Sequence, residues 1–89
     1  MKQITKNDLI EFLKDKISAE CEVPRESIDT HIEFINFNMD SVKAVYIMDQ
    51  LEKFMEVELS PLYFWDNPTI DSLTTFLVEK VMNVRSGHL

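Results

Sequence analysis

The segment Phe37-Asn38-Met39-Asp40-Ser41-Val42 places an Asp-Ser pair directly before an apolar-periodic run, residues 42–55. That run predicts a helix, with Ser41 at its first turn. Free backbone N–H groups and the positive end of the helix dipole favour an anion at such a position. The segment therefore supports two hypotheses: Ser41 either carries a phosphate ester or only caps the helix.

The chain before this segment predicts one helix and a long connection. Thr5 and Asp8 have the spacing of a capping box, and Pro24 ends the element, which extends to about residue 21. Its apolar positions recur at helical spacing: Leu9, Ile10, Leu13, Ile17 and Cys21. Residues 22–40 are predicted to form a loop across the core, with a turn of helix at 25–28. Six large apolar side chains in this loop are expected to need burial: Val23, Ile28, Ile32, Phe34, Ile35 and Phe37.

The helix predicted from about Ser41 to Met55 has a core side and a second stripe. At about 100° per residue the core side holds Ala44, Ile47, Met48, Leu51, Phe54 and Met55. The stripe beside Ser41 combines two valines with three acids: Val42, Val45, Asp49, Glu52 and Glu56. Exposed valines among acids are unusual for a purely solvated face. The stripe therefore predicts docking against a partner that offers basic and apolar contacts.

Two further helices are predicted downstream. Ser60-Pro61 begins a short helix through residues 62–65, and Asn67-Pro68 ends it. Thr69 caps the last helix, whose apolar side holds Ile70, Leu73, Phe76, Leu77, Val81 and Met82. Because no segment shows sustained alternation, we predict an all-α fold in one domain, residues 1–89: a small four-helix bundle. It has three main helices, a short third helix and a long first loop, with an ordered core over about 5–82 and a tail over 83–89.

Composition argues against several classes of protein. A net charge of −7 disfavours nucleic-acid binding, which needs a basic surface. The only glycine, Gly87, leaves no glycine-rich phosphate loop, and the only cysteine, Cys21, leaves no intrachain disulfide. No stretch has the length of a membrane span or the pattern of a signal peptide. A cytoplasmic protein without membrane contact is the expectation.

Catalysis is not expected from these residues. His31 and His88 are too few and too scattered for a metal site. A Ser41 nucleophile would need a general base and an oxyanion hole, and no histidine is placed to help. A small helical domain also offers little cavity for a substrate.

Several motifs together resemble the acyl carrier protein family over about residues 5–82. Ile28-Asp29, Phe34 and the segment 37–42 resemble the signature in which a serine carries 4'-phosphopantetheine. The stretch from Leu59 to Ile70, with its Pro-Thr-Ile sequence, is similar to carrier proteins of polyketide synthases. The family usually has a glycine where this chain has Asn38. Asn is among the residues that best tolerate the positive φ angle that such a glycine serves.

A second Asp-Ser pair, Asp71-Ser72, competes for the same interpretation. Ser72 is predicted to lie just inside the last helix, after Thr69 has taken the cap. In the family the carrier serine precedes the Pro-Thr-Ile segment by a helix and a loop. Ser41 meets that requirement and Ser72 does not.

The resemblance implies a carrier rather than a catalyst. A phosphopantetheinyl transferase would attach the arm to Ser41, and Asp40 would orient the site or be recognised. Acyltransferases, ketosynthases or other acyl-processing enzymes would meet the stripe, with Met39 flanking the arm of a monomeric protein. Lys43, Tyr46 and Lys53 give the second helix a mixed face that favours a polyketide-type carrier over a fatty acid carrier.

Three alternatives stay open at this point. The chain could be an unmodified helical interaction module or a degenerate carrier without an arm. It could also be a fatty acid carrier or a D-alanyl carrier. The Gly-Gly-His/Asp-Ser pattern usual in peptidyl carriers is absent.

Overall fold

The computed structural model of the protein describes residues 3–82. Four α-helices follow one another along the chain: α1, Lys6–Cys21; α2, Ser41–Met55; α3, Leu62–Asp66; and α4, Ile70–Phe76. α4 continues as a π-helix over Leu77–Met82. The described residues contain no strand, only one isolated β-bridge between Glu33 and Thr69. The all-α prediction is confirmed, and the predicted tail over 83–89 lies outside the described residues.

The first and last helices begin as their sequences predict. At α1 the Thr5 hydroxyl accepts from the Asp8 N–H at 3.1 Å, and the Asp8 carboxylate accepts from the Thr5 N–H at 2.9 Å. At α4 the same reciprocal pair forms between Thr69 and Ser72. Both capping boxes satisfy N–H groups that a helix start otherwise leaves unpaired.

The core contains apolar side chains from all four helices and from the first loop. Leu13, Ile47, Leu51 and Leu73 are completely buried. Phe34 of the loop stacks on Phe64 of α3 with ring centroids 4.1 Å apart. Polar contacts tie the loop and the helix ends to this core: Arg25 contacts Glu11 and Asp15 of α1, and Lys6 pairs with Asp71 at 3.1 Å. Those carboxylates, by hydrogen bonding to Arg25, raise the pKa of its guanidinium.

The first loop differs from its predicted form in one respect. A 3-10 turn occurs at Arg25–Ser27, near the predicted 25–28, and a second one, not predicted, at Phe34–Phe37. The predicted burial of Ile32 and Ile35 is wrong, since these side chains are 36% and 67% exposed. Side chains three residues apart coincide in a 3-10 turn. Because Phe34 and Phe37 both point into the core, Ile35 between them points outward.

Candidate functional site

The turn before α2 uses a left-handed residue. Asn38 has φ 64° and ψ 33°, so the positive φ angle expected at this position is confirmed. The Lys43 ammonium folds back and donates to the Asn38 carbonyl at 3.3 Å. Sequence reasoning did not find this role of Lys43, because a contact between residues five apart depends on the turn itself.

We expect substitutions at Asn38 to follow the demands of this turn. Asn38→Val is expected to lower the free energy of unfolding by about 1–2 kcal/mol, because a β-branched residue strongly disfavours the left-handed region. Asn38→Gly is expected to stay within about 0.5 kcal/mol, since relief of the strained φ angle offsets the greater freedom of the unfolded chain. Urea unfolding of the three proteins measures both changes. Equal stability of the Val variant would contradict the proposed demand of the turn.

Asp40, and not Ser41, caps α2. The Asp40 carboxylate accepts from the Lys43 N–H at 2.8 Å, and the Asp40 carbonyl accepts from the Ala44 N–H at 2.9 Å. Ser41 is therefore the first helical residue. Its side chain is exposed, and its hydroxyl makes no hydrogen bond to any described residue. The hypothesis that Ser41 only caps the helix is wrong.

The surroundings of the Ser41 hydroxyl fit a phosphate ester. Asp40 occupies the N–H of Lys43, while the N–H groups of Ser41 and Val42 have no partner among residues 3–82. These two donors and the dipole of a 15-residue helix favour negative charge at the helix start. An accessible nucleophilic oxygen and a complementary field thus meet at one atom. Both are what attachment of a 4'-phosphopantetheine group needs.

The end of α1 lies next to this helix start. Burial raises the pKa of the Cys21 thiol, the charge of Lys43 opposes that shift, and the charge of Asp40 adds to it. Both charges act on Cys21 because α1 ends where α2 begins. The thiol is buried in the core cluster and stays protonated at neutral pH.

The predicted partner stripe divides into exposed and structural members. Val42, Val45, Asp49 and Glu56 are exposed along α2. Asp49 pairs with Lys53 at 3.3 Å, an exposed contact one helical turn apart. Met39, by contrast, is only 7% exposed and belongs to the core cluster, so the structure places its side chain away from that surface.

Glu52 has a structural contact that its place in the stripe did not predict. Its carboxylate is half-buried and accepts from the Leu59 N–H at 2.6 Å. Glu52→Ala is expected to lower the free energy of unfolding by about 1.5–3 kcal/mol, because this hydrogen bond to a charged group is lost. Asp49→Ala, on the same helix, should change it by less than about 0.5 kcal/mol. Urea unfolding compares the two, and equal effects would contradict a structural role for Glu52.

The competing serine has its hydroxyl engaged. The Ser72 oxygen accepts from the Thr69 N–H at 3.1 Å, and its hydroxyl donates to the Thr69 carbonyl at 3.1 Å. The residue is half-buried in the first turn of α4. As predicted, Thr69 holds the cap and Ser72 lies inside the helix. The structure thus leaves Ser41 accessible and holds Ser72 in a capping box.

Two other kinds of site receive no support from the part of the chain that the structure describes. No group of three or more His, Cys, Asp or Glu side chains in it could hold a metal ion. No helix within residues 3–82 is long and apolar enough to cross a membrane.

Known sequences place this site in a family. The family model described as "Phosphopantetheine attachment site" matches residues 11–77. A phenolphthiocerol/phthiocerol polyketide synthase from Mycobacterium tuberculosis is 32% identical over 76 residues, 85% of this chain. Polyketide synthase PksN from Bacillus subtilis is 31% identical over 73 residues, 82% of this chain. The chain spans only 4% and 1% of the lengths of these two relatives.

Solved structures agree with the sequence matches. A free-standing peptidyl carrier protein from a secondary metabolic pathway of Acinetobacter baumannii superimposes with a TM-score of 0.79 at 30% identity. The match covers 85% of this chain and 95% of that one. An acyl carrier domain from the CurA module of Lyngbya majuscula gives a TM-score of 0.77 at 16% identity, over 89% of this chain and 80% of that one, and shows the shared fold alone. The chain therefore belongs to the family of acyl and peptidyl carrier domains, which carry 4'-phosphopantetheine covalently and are not catalysts themselves.

Proposed function

We propose that Ser41 carries the 4'-phosphopantetheine arm and that the protein serves polyketide or related specialised biosynthesis. The observation that carries the proposal is the exposed, unbonded Ser41 hydroxyl at the start of a helix capped by Asp40. When bound, the arm supplies a terminal thiol that holds acyl groups as thioesters. The protein contributes the ester oxygen, the charge environment of the phosphate and a surface for partner enzymes.

The proposed partners follow from this role. A phosphopantetheinyl transferase attaches the arm, and acyltransferases, ketosynthases or other acyl-processing enzymes then act on its cargo. We assign partner contact to Asp40 and to the exposed stripe of Val42, Val45, Asp49 and Glu56, with Glu52 supporting the stripe from beneath. The net charge of −7 suits partners with basic surfaces, because complementary charge speeds and orients their encounter. The protein is proposed to act as a monomer in the cytoplasm.

A peptidyl cargo is the second candidate. It is favoured by the 30% identity to the Acinetobacter baumannii peptidyl carrier, although the usual Gly-Gly-His/Asp-Ser pattern is absent here. The two candidates share the arm and differ in the cargo. Loading of the arm-bearing protein by acyltransferases or by adenylating enzymes encoded beside it separates them.

Intact mass tests the proposed attachment. The purified protein is incubated with coenzyme A, Mg²⁺ and a broad-specificity phosphopantetheinyl transferase, beside a carrier protein known to accept the arm. We expect one phosphopantetheine increment, and fragmentation should place it on the peptide that contains Ser41. An unchanged mass beside a fully modified control carrier would favour an unmodified interaction module instead.

A further inference from the structure

Exposed large apolar side chains occupy one part of the described chain. All those at least about one-third exposed lie between residues 32 and 65: Ile32, Ile35, Val42, Val45, Tyr46, Leu62 and Trp65. Neither α1 nor α4 contributes one. Such a concentration on a small acidic protein indicates an interaction surface, since water disfavours grouped apolar groups.

α3 is held rigidly although it has only five residues. Its inner side packs through Phe64 on Phe34, and Tyr63 packs on Phe76 of α4 with ring centroids 4.8 Å apart. The remaining apolar side chains of α3, Leu62 and Trp65, share its outer side because they are three residues apart. They are 65% and 45% exposed.

Trp65 has the features of an anchor for a binding partner. Its ring meets the Phe64 ring edge-on with centroids 5.8 Å apart, so the buried aromatic pair orients it. Almost half of the ring stays in water. A half-exposed tryptophan that is already ordered offers a large contact area at small entropic cost.

The same side of α2 carries Ser41 and faces α3. The hydrogen bond from the Leu59 N–H to Glu52 directs the Glu52 side of α2 to the segment that leads into α3. Ser41 and Val45 lie within about 20° of Glu52 on the helical wheel. Phe54 points elsewhere, stacking on Phe12 of α1 at 4.5 Å.

We infer that Val42, Val45, Leu62 and Trp65 form one surface, the α2–α3 surface, on which a phosphopantetheinyl transferase docks with Trp65 as anchor. The inference rests on the proposed function, because the occupant is the enzyme that modifies Ser41. Glu52 lies about 16 Å along the helix axis from Ser41. A typical interface of about 800 Å² per partner spans that distance.

Chemistry favours this occupant over others. An enzyme that acts on the Ser41 hydroxyl must contact the start of α2 directly, whereas an enzyme that acts on the far end of the arm is separated from it by the arm. Coenzyme A is a polyanion, so the site that holds it needs basic side chains. These match the exposed acids Asp49 and Glu56 and the net charge of −7. The same acids oppose docking of a second copy of this chain.

Loading kinetics test the α2–α3 surface. The broad-specificity transferase and coenzyme A are used with Leu62→Ser, Trp65→Ser and Trp65→Phe. The matched control is Tyr46→Ser, whose side chain is also 45% exposed but lies about 120° from Glu52 on α2. We expect kcat/KM to fall about 10-fold or more for both α3 serine variants. Trp65→Phe should retain most of the activity, and Tyr46→Ser should stay within about 2-fold of the unchanged protein.

A competition assay supports the kinetics without depending on turnover of the variants. Excess Ser41→Ala protein should inhibit loading of the unchanged protein, and adding Trp65→Ser or Leu62→Ser to the competitor should remove the inhibition. Thermal melts identify any variant that fails to fold, and Leu62, the more exposed of the two, then supplies the result.

The outcomes separate the two proposals. Normal loading of both α3 variants, or an equal loss in Tyr46→Ser, would overturn the α2–α3 surface and leave attachment at Ser41 intact. Failure of the unchanged protein to load beside a working control carrier would instead overturn the proposed function.

Discussion

The Ser41→Ala protein is expected to gain no mass when it is incubated with coenzyme A and the transferase, while Ser72→Ala gains one full increment. The Ser41 oxygen is exposed and unbonded among the described residues. The Ser72 oxygen is engaged with Thr69 in the first turn of α4. Removing Ser41 therefore removes the attachment oxygen, and removing Ser72 weakens a helix cap far along the chain from it.

Stability measurements distinguish this loss from unfolding. Ser41→Ala should change the free energy of unfolding by less than about 0.5 kcal/mol, because the hydroxyl makes no contact that the fold uses. Ser72→Ala should lower it by about 0.5–2 kcal/mol through the lost capping interaction. The two variants thus have opposite profiles: one folds normally and is not loaded, the other is less stable and is loaded. Loading of Ser41→Ala would overturn the assignment of the arm to Ser41.

Phe64→Ala is expected to lower the free energy of unfolding by about 3–5 kcal/mol. The ring is completely buried and stacks on Phe34 at 4.1 Å. Its removal leaves a cavity where α3 meets the first loop and takes away the ring against which Trp65 rests. A domain of this size has a total stability of about 4–13 kcal/mol, so one substitution takes a large share of it.

Urea unfolding followed by circular dichroism measures this loss. Asp66→Ala is the control on the same helix, since its side chain is exposed and should change stability by less than about 0.5 kcal/mol. Phe64→Leu should fall between the two, because it keeps part of the buried volume. A loss below about 1 kcal/mol for Phe64→Ala would contradict the central place of the aromatic pair.

Much of the fold could be predicted from local sequence. The periodic apolar residues of α1 and α2 predicted their extents, and the capping residues Thr5 and Thr69 predicted where α1 and α4 begin. These features depend on residues within one helical turn of each other. Local physical chemistry is enough to decide them.

The errors arose where a side chain's environment depends on distant parts of the chain. Ile35 was predicted to be buried because it is apolar, and it is exposed because Phe34 and Phe37 occupy the inner side of an unforeseen 3-10 turn. Met39 was predicted to flank the arm and instead joins the core. Hydropathy shows that a loop must be partly buried, but the geometry of its turns decides which of its side chains are.

The sequence by itself determined the helical order and the one serine whose position fits the carrier family, because capping patterns, apolar periodicity and motif spacing act over short distances. Only the tertiary structure decided that Asp40 holds the cap, which leaves the Ser41 hydroxyl unbonded. It also decided that Glu52 reaches Leu59 and that Trp65 stands half-exposed on a buried aromatic pair. Those features need segments far apart in the chain to meet, and packing of the whole core brings them together.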